Sequence, residues 1–478
     1  MSKKELKAGL EIHQQLDTKK LFCSCPSILR KDKPDYTIER ELHLVAGETG
    51  EIDVAAEFEA SRKRKFVYEG YYDNTCLVEL DEEPPHPLNP EALKIALQIS
   101  LLLNAEILPY TQIMRKTVID GSNVSGFQRT VLIAKNGYVE TEEGKISIES
   151  ICLEEDAARI IKQEKNNVTY RLDRLGIPLI EIATKPEIKS GTQAREVALK
   201  IGDILRACKI KRGIGTIRQD VNLSVSIDGK WGERIEIKGV QEPKLIEKTI
   251  ETEAKRQESL IKQGKSQAEV RKALPNGKTS FLRPLPGKAR MYPETDLPIL
   301  HISRDIINQA KKSLPKLRSE IKNELRRRGL HEELVKILLK ERKIEEFNEL
   351  LAVYNKPELI AKMLTVWQTD LSVKLNKEKK EIEKKFTLDI LETILQAIQA
   401  KKISEEDIRD IMEEIVKGKN VKEALERERV DNLEEEVLKI IKEKPGLSIN
   451  AYMGLIMKRF KGKVSGKEVR EILEKLVT

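Results

Sequence analysis

The side-chain periodicity of this chain changes once, just after Leu297-Pro298, and that change restricts the folds open to it. Upstream, apolar and polar residues alternate in short runs separated by turn residues, the period-two pattern of strands. Val221-Asn222-Leu223-Ser224-Val225-Ser226-Ile227 alternates strictly and runs into Asp228-Gly229, then Arg234-Ile235-Glu236-Ile237. Asp-Gly readily takes the positive φ of a type I′ turn, so a hairpin is expected there. A second is expected at Asn136-Gly137, ahead of the alternating Lys145–Glu149. One helix is well marked: Asn89 can cap it, Pro90 suits the first helical position, Glu91 complements the dipole, and Asn104 follows the apolar run. From Asp305 onward the pattern is amphipathic helix, rich in Lys, Arg and Glu. Ser404-Glu405-Glu406-Asp407 and Ser465-Gly466-Lys467-Glu468 resemble capping boxes. The fold class is therefore α+β: a large sheet-rich domain over 1–298, an all-helical domain over 299–403, and a small helical tail over 404–478.

A length of 478 residues agrees with about three domains. No apolar run reaches the roughly 18 residues of a membrane span, and the apolar helix Ala92–Leu103 is interrupted by polar residues. Met1-Ser2-Lys3-Lys4-Glu5 has no apolar region of the kind a secretion signal needs, so no membrane partner and a cytoplasmic location are expected. Five cysteines in such a chain do not make a disulfide framework. A net charge of +8 permits a polyanionic partner without demanding one.

If Gly9–His13 is a strand, Glu11 and His13 project from one face. A carboxylate beside an imidazole can bind a divalent metal or work as an acid–base pair. It can equally be an ion pair at a strand end. Leu153-Glu154-Glu155-Asp156 places adjacent acids at the end of a strand. Such acids repel and tend to sit in water or around a cation. Alternation sends Glu154 and Glu155 to opposite faces, so only one reaches a shared site, and periodicity does not decide which. Glu181 lies inside the apolar strand Ile177–Ile182, where a buried acid needs a partner and a solvated one does not.

Two loops, Asp120–Arg129 and Lys211–Arg218, combine glycines with cations and can form anion-binding nests, or simply be turns. Neither closes with the Gly-Lys-Ser/Thr of a Walker A loop. Cys23, Cys25 and Cys76 offer three soft ligands, an incomplete set for structural zinc, so zinc is not expected.

Taken in order, several strings are specific. Gly9-Leu10-Glu11-Ile12-His13-Gln14-Gln15-Leu16-Asp17-Thr18, Asp81-Glu82-Glu83-Pro84-Pro85-His86-Pro87-Leu88-Asn89-Pro90, Leu153–Arg159 and Asp173–Leu179 resemble the archaeal glutamyl-tRNA(Gln) amidotransferase E subunits, GatE, of the GatB/GatE family. Gly215–Asn222 and Arg283–Asp296 extend the likeness, which is dense over 8–300 and weaker through the helices. The Glu-Ile-His-Gln-Gln string and Asp81–Asn89 favour E over the bacterial B subunit, which usually has a second cysteine pair there. Archaeal E subunits usually carry an inserted domain related to one in aspartyl-tRNA synthetases, just before Arg283. Here the interval is Gln263 to Ser280, too short for a domain.

The resemblance implies a cradle-type catalytic domain over 1–298 and a YqeY-like, tRNA-binding tail. The implied reaction phosphorylates the γ-carboxylate of tRNA-bound glutamate with ATP and Mg2+, and ammonia then displaces phosphate. A carboxylate is a poor acyl donor, and phosphorylation supplies the leaving group. The implied metal residues are Glu11, His13, Glu155 and Glu181, with Glu154 as the substitute for Glu155. Arg115, Lys116, Ser125, Arg218 and Lys238 are the implied contacts to ATP or the acyl phosphate. Ammonia would come from a GatD-type, asparaginase-like partner in a heterodimer or heterotetramer. Lys458, Arg459, Lys461, Lys463, Lys467 and Arg470 would meet the backbone of Glu-tRNA(Gln). The competing readings are a non-catalytic tRNA-binding relative and a B subunit acting on both Glu-tRNA and Asp-tRNA.

Overall fold

A computed structural model of the chain describes residues 3–43, 50, 52, 54–164, 166–285, 291–426, 432–460 and 466–477. Pro286–Arg290 of one motif, Lys461, Lys463 and Ser465, and the side chains of Lys467 and Glu468, lie outside the described residues. The chain divides into two compact units, 1–317 and 318–478.

Strand β1 (Lys4–Gln15) runs through the middle of a twelve-stranded sheet. The strands beside it are β2 (Ile113–Thr117), β3 (Phe127–Thr141), β4 (Gly144–Glu155) and β5 (Pro178–Thr184) on one side. On the other lie β6 (Ile217–Ile227), β7 (Ile235–Lys238), β8 (Glu269–Ala273) and β9 (Thr279–Pro284), while β10 (Met291–Pro293) closes the far edge beyond β2. The order is β9-β8-β7-β6-β1-β5-β4-β3-β2-β10, antiparallel except where β7 meets β8. Leu10 and Ile12 of β1 are buried with Ile180, Ile182, Val221 and Leu223 in the main core. Helices α1 (Pro90–Leu102), α2 (Gly191–Ala207) and α3 (Pro243–Lys262) contribute to that core through Ala96, Val197 and Ile250. Each buried Val, Leu or Ile among them contributes roughly 1.5–3 kcal/mol. Strand alternation then turns Glu11 and His13 to the other face of the sheet.

Local signals were mostly sound. Asn89 accepts hydrogen bonds from the N–H groups of Glu91 and Ala92 at the start of α1. Asp228 (φ 49°) and Gly229 (φ 83°) make the tight turn after β6. Asn136-Gly137 is different, because β3 runs through it without a turn. A Cβ on Gly137 would stand 2.8 Å from the Leu103 carbonyl and 2.9 Å from Ala105. Glycine is needed there for the close approach of the chain leaving α1, and the reversal comes at Gly144 (φ 117°) instead.

At the point where a domain was expected to be missing, α3 leads directly into the β8–β9 hairpin, turned at Gly277 (φ 81°). Residues expected to open the helical domain belong with the sheet: Ile302 and Ala310 join its core, and Gln98 donates to the Ser313 carbonyl. In the second unit, Ser404 and Asp407 form the expected capping box. The apolar cluster nevertheless runs across residue 403, joining Leu391 and Ile394 to Ile403, Ile408 and Met412. A separate cluster begins at Leu433 and includes Val437, Tyr452, Ile456 and Leu473. Among the described residues, no helix is long and apolar enough to cross a membrane.

Candidate metal and phosphate site

Register across the sheet assembles the polar face. His13 lies opposite Glu181 of β5 and Arg218 of β6, and Glu11 lies opposite Asp220. Residues in direct register share a face. Applied outward, the rule adds Glu154 of β4, Lys116 of β2 and Glu236 of β7 to the same face. Lys238 follows two residues after Glu236 and therefore joins them.

The contacts agree with the register. His13 Nε2 is 3.1 Å from Glu181 Oε2 and 3.5 Å from Glu11 Oε1. Lys116 Nζ reaches Glu154 at 2.8 Å and Glu181 at 3.6 Å. Gln128 donates to Glu154 at 3.1 Å. Lys238 Nζ lies 3.2 Å from Asp220 and 2.7 Å from Glu236. Two donor sets result, Glu11–His13–Asp220 and His13–Glu154–Glu181, each with its ligand atoms within 4.8 Å of one another.

Charge is unbalanced here. Burial, then the neighbouring Glu181 charge, pushes the Glu11 carboxyl up to about 7. Burial opposes the His13 imidazolium, but its hydrogen bond with Glu181 and the surrounding carboxylates outweigh this and raise its pKa. Burial works against the Glu181 carboxylate as well, yet Lys116 and His13 hold it below the usual range. A carboxyl raised by burial and by a neighbouring acid is eased by a positive charge, and a hard cation with oxygen ligands can supply one. The residues present therefore fit a magnesium ion.

The structure brings Glu11, His13, Glu154 and Glu181 together and leaves Glu155 out. Glu155 takes the opposite face, where it accepts from the Arg129 backbone N–H at 3.3 Å and guanidinium at 3.4 Å. Burial raises its pKa, and the Arg129 charge opposes that rise. Arg115 sits on that second face too, donating to Glu294 at 2.9 Å. Its guanidinium rests over Phe127. Ser125 donates to the Phe127 carbonyl in a loop whose Gly121 meets Phe66 of a separate four-stranded sheet. For Glu155 and Arg115 the cause is alternation, which separates each from its neighbour; for Ser125 it is the docking of the loop. Lys116, Arg218 and Lys238 stay on the polar face.

Sequence reasoning missed Asp220 and Glu236, although alternation within β6 and β7 would have placed them. It also missed Glu79. Cys23, Cys25 and Cys76 converge with that carboxylate, which accepts from Cys23 Sγ at 2.8 Å and the Cys76 N–H at 2.7 Å. Hydrogen bonds from Cys23 and Cys76 pull the Cys25 thiol down to about 4. Buried Lys20, 3.4 Å from Glu79, compensates its charge in place. With the Cys25 thiol drawn down, Lys20 balances only one of two acidic groups here, and Glu79 supplies the fourth donor that the three cysteines lacked.

Comparison with known proteins gives a consistent picture. Residues 6–308 match the GatB/GatE catalytic domain, and residues 345–477 match the GatB domain. The glutamyl-tRNA(Gln) amidotransferase E subunit from Methanocaldococcus jannaschii is 36% identical, with 98% of both chains covered. The E subunit of Thermococcus sibiricus is 35% identical over 99% of this chain and 98% of its own. That of Pyrococcus abyssi is 39% identical over 76% of this chain and 78% of its own. The alignment with the Methanocaldococcus protein spans 625 residues, more than the 478 of this chain, so the relative carries a long stretch without a counterpart here.

Proposed function

The chain belongs to the GatB/GatE family, and on that premise we propose that it amidates glutamate carried on tRNA(Gln). The inserted domain usual in E subunits is absent, and the short β8–β9 hairpin stands in its place. The γ-carboxylate oxygen attacks the γ-phosphorus of ATP and ADP leaves. Ammonia then attacks the acyl carbon, phosphate leaves, and the nitrogen loses one proton. The observation that carries this reading is the polar face, where Glu11, His13, Glu154, Glu181 and Asp220 gather beside Lys116, Lys238 and Arg218.

Glu11, Asp220, Glu154 and Glu181 would hold Mg2+, with His13 between the two sets as a ligand or as the group that orients them. An ion held there would supply positive charge to offset that of the phosphoryl group during transfer. Lys116 and Lys238 flank the carboxylates, so a phosphoryl group brought there meets cations on both sides. Each lysine is held in place by the acids it pairs with, which fixes its position before substrate arrives. Glu155 and Arg115, on the far face, support the sheet and are assigned no part in the chemistry. The reading calls on no zinc. Ammonia would come from an asparaginase-like partner subunit, and the tRNA substrate implies a cytoplasmic setting.

The test uses the purified full chain, Glu-tRNA(Gln), ATP, Mg2+ and a nitrogen donor. Gln-tRNA(Gln) should form with free ammonium, in step with ADP and phosphate, but not with asparagine or glutamine until the partner subunit is added. Product without ATP, or efficient use of an amide by the isolated chain, contradicts the proposal. Binding of tRNA without turnover would favour the non-catalytic relative. Amidation of Asp-tRNA as well would favour a B-type enzyme.

A further inference from the structure

We infer that Asp156 is a positioning residue that aims Arg218 at a phosphoryl group bound beside His13; this rests on the ATP-dependent reading above. Asp156 lies just past the end of β4, is fully buried, and is placed on the polar face by its contacts with Gln15 and Arg218. Its main chain is fixed on both sides, with its N–H bonded to the Ile177 carbonyl and its carbonyl accepting from Gly176. Its carboxylate is fixed as well. Oδ1 accepts from the Ala157 N–H at 2.8 Å and from Arg218 Nη2 at 2.8 Å. Oδ2 accepts from Gln15 Nε2 at 2.6 Å.

Arg218 stands directly across from His13 in the β1–β6 pairing. Among the described residues its guanidinium bonds only to Asp156, and about a third of its side chain is exposed, 34%. One arm is therefore held while the others remain open to a ligand. A guanidinium tethered through one nitrogen keeps a planar fork for an oxyanion.

Charge points the same way. Arg174 Nε lies 3.8 Å from Asp156 Oδ2 and gives its hydrogen bonds to the carbonyls of Ala157 and Ala158. Arg174 and Arg218 both approach Asp156, so that carboxylate does not serve Arg218 alone and the open side of Arg218 keeps positive character. An anion is what that charge attracts. Gln15, which holds Asp156 Oδ2, keeps a buried Oε1 with no hydrogen-bond partner among the described residues.

Steady-state amidation by the full chain, with free ammonium as donor and ATP varied, tests the inference. Arg218→Ala should raise the KM for ATP about tenfold or more, the loss expected for a charge-assisted contact. Asp156→Asn should raise it comparably, and Asp156→Glu should recover part of the loss. The double variant should be no worse than Arg218→Ala alone, because both changes act through one guanidinium. Additive losses, or an Asp156→Asn effect confined to thermal stability, overturn the inference while leaving the function standing. If Asp156→Asn does not fold, Gln15→Leu replaces it: KM should rise in the native background and not in Arg218→Ala, and additivity again overturns the inference. An Arg218→Ala enzyme with unchanged KM removes Arg218 from the phosphate site and the inference with it. A wild-type chain that amidates without ATP defeats the functional reading itself.

Discussion

His13 and Glu181 stand directly opposite each other on β1 and β5, with Nε2 and Oε2 3.1 Å apart. The pair ties a histidine whose proton affinity is raised to a carboxylate whose affinity is lowered. Glu181→Gln removes that charge from the His13–Glu154–Glu181 donor set, so metal-dependent turnover should fall on the order of 100-fold or more. In EDTA, the His13 ring should titrate at a lower pH in the variant than in the native chain, as read by NMR. Undiminished activity with saturating Mg2+ would take Glu181 out of the metal site.

Glu154 and Glu155 are neighbours with opposite assignments. Glu154→Gln removes a metal donor that Lys116 and Gln128 hold in place, and should abolish ATP hydrolysis that depends on Glu-tRNA while leaving tRNA binding intact. Glu155→Gln should instead weaken the fold, because Arg129 loses a charged partner in a buried setting. The expected cost is roughly 1–3 kcal/mol, read by denaturant melts, with turnover retained at low temperature. The reverse pattern would put Glu155 at the metal.

How much of this was legible depends on the distance over which each signal acts. Period-two alternation is local, so Glu11 and His13 could be put on one face from five residues of sequence. The same rule already separates Arg115 from Lys116 and Glu154 from Glu155. Alternation cannot say which of two faces is polar, because that is set by pairing with strands far away in sequence. His13 meets Glu181 only through the β1–β5 register. The Asn-Gly pair misled for a related reason: Gly137 answers to the chain leaving α1, a tertiary approach that mimics a turn signal. Glu79 was invisible among the ligand candidates because a Cys-x-x-Glu spacing has no distinctive pattern.

Glu11 supplies a pH test. Its carboxyl is raised to about 7 from an ordinary value of 4.5, so its protonation stabilises the folded chain below that ordinary value. That contribution is lost as the pH rises through about 7. Without metal, the thermal midpoint should therefore fall between weakly acidic and mildly alkaline pH, and Mg2+ should flatten the decline. Glu11→Gln should remove this part of the pH dependence and stabilise the metal-free chain by roughly 1 kcal/mol, while abolishing turnover. Calorimetric scans at several pH values, with and without Mg2+, would show it. A variant that is less stable than the native chain at pH 8 would contradict the charge imbalance inferred for this face.

The place at which the tail is cut decides what its removal would mean. A cut at 404 takes away Ile408, Ile411, Met412 and Ile415, which are buried with Leu391, Ile394 and Leu395 in one cluster. Losing several core side chains at about 2–5 kcal/mol each would unfold the helical unit, so weaker tRNA binding would prove nothing about the tail. A cut that keeps residues through 426 spares that cluster and removes the separate one formed by Leu433, Val437, Tyr452 and Leu473. It also removes Lys458, Arg459 and Arg470, whose side chains are largely exposed. If these cations meet tRNA phosphates, the shortened chain should bind Glu-tRNA(Gln) more weakly. The slope of log affinity against log salt should flatten by about 0.7–0.9 for each phosphate that is no longer neutralised. The thermal midpoint of the remaining chain should stay near its starting value. Fluorescence titrations at several salt concentrations would measure the slope, and an unchanged slope would place the tRNA-binding cations elsewhere in the chain.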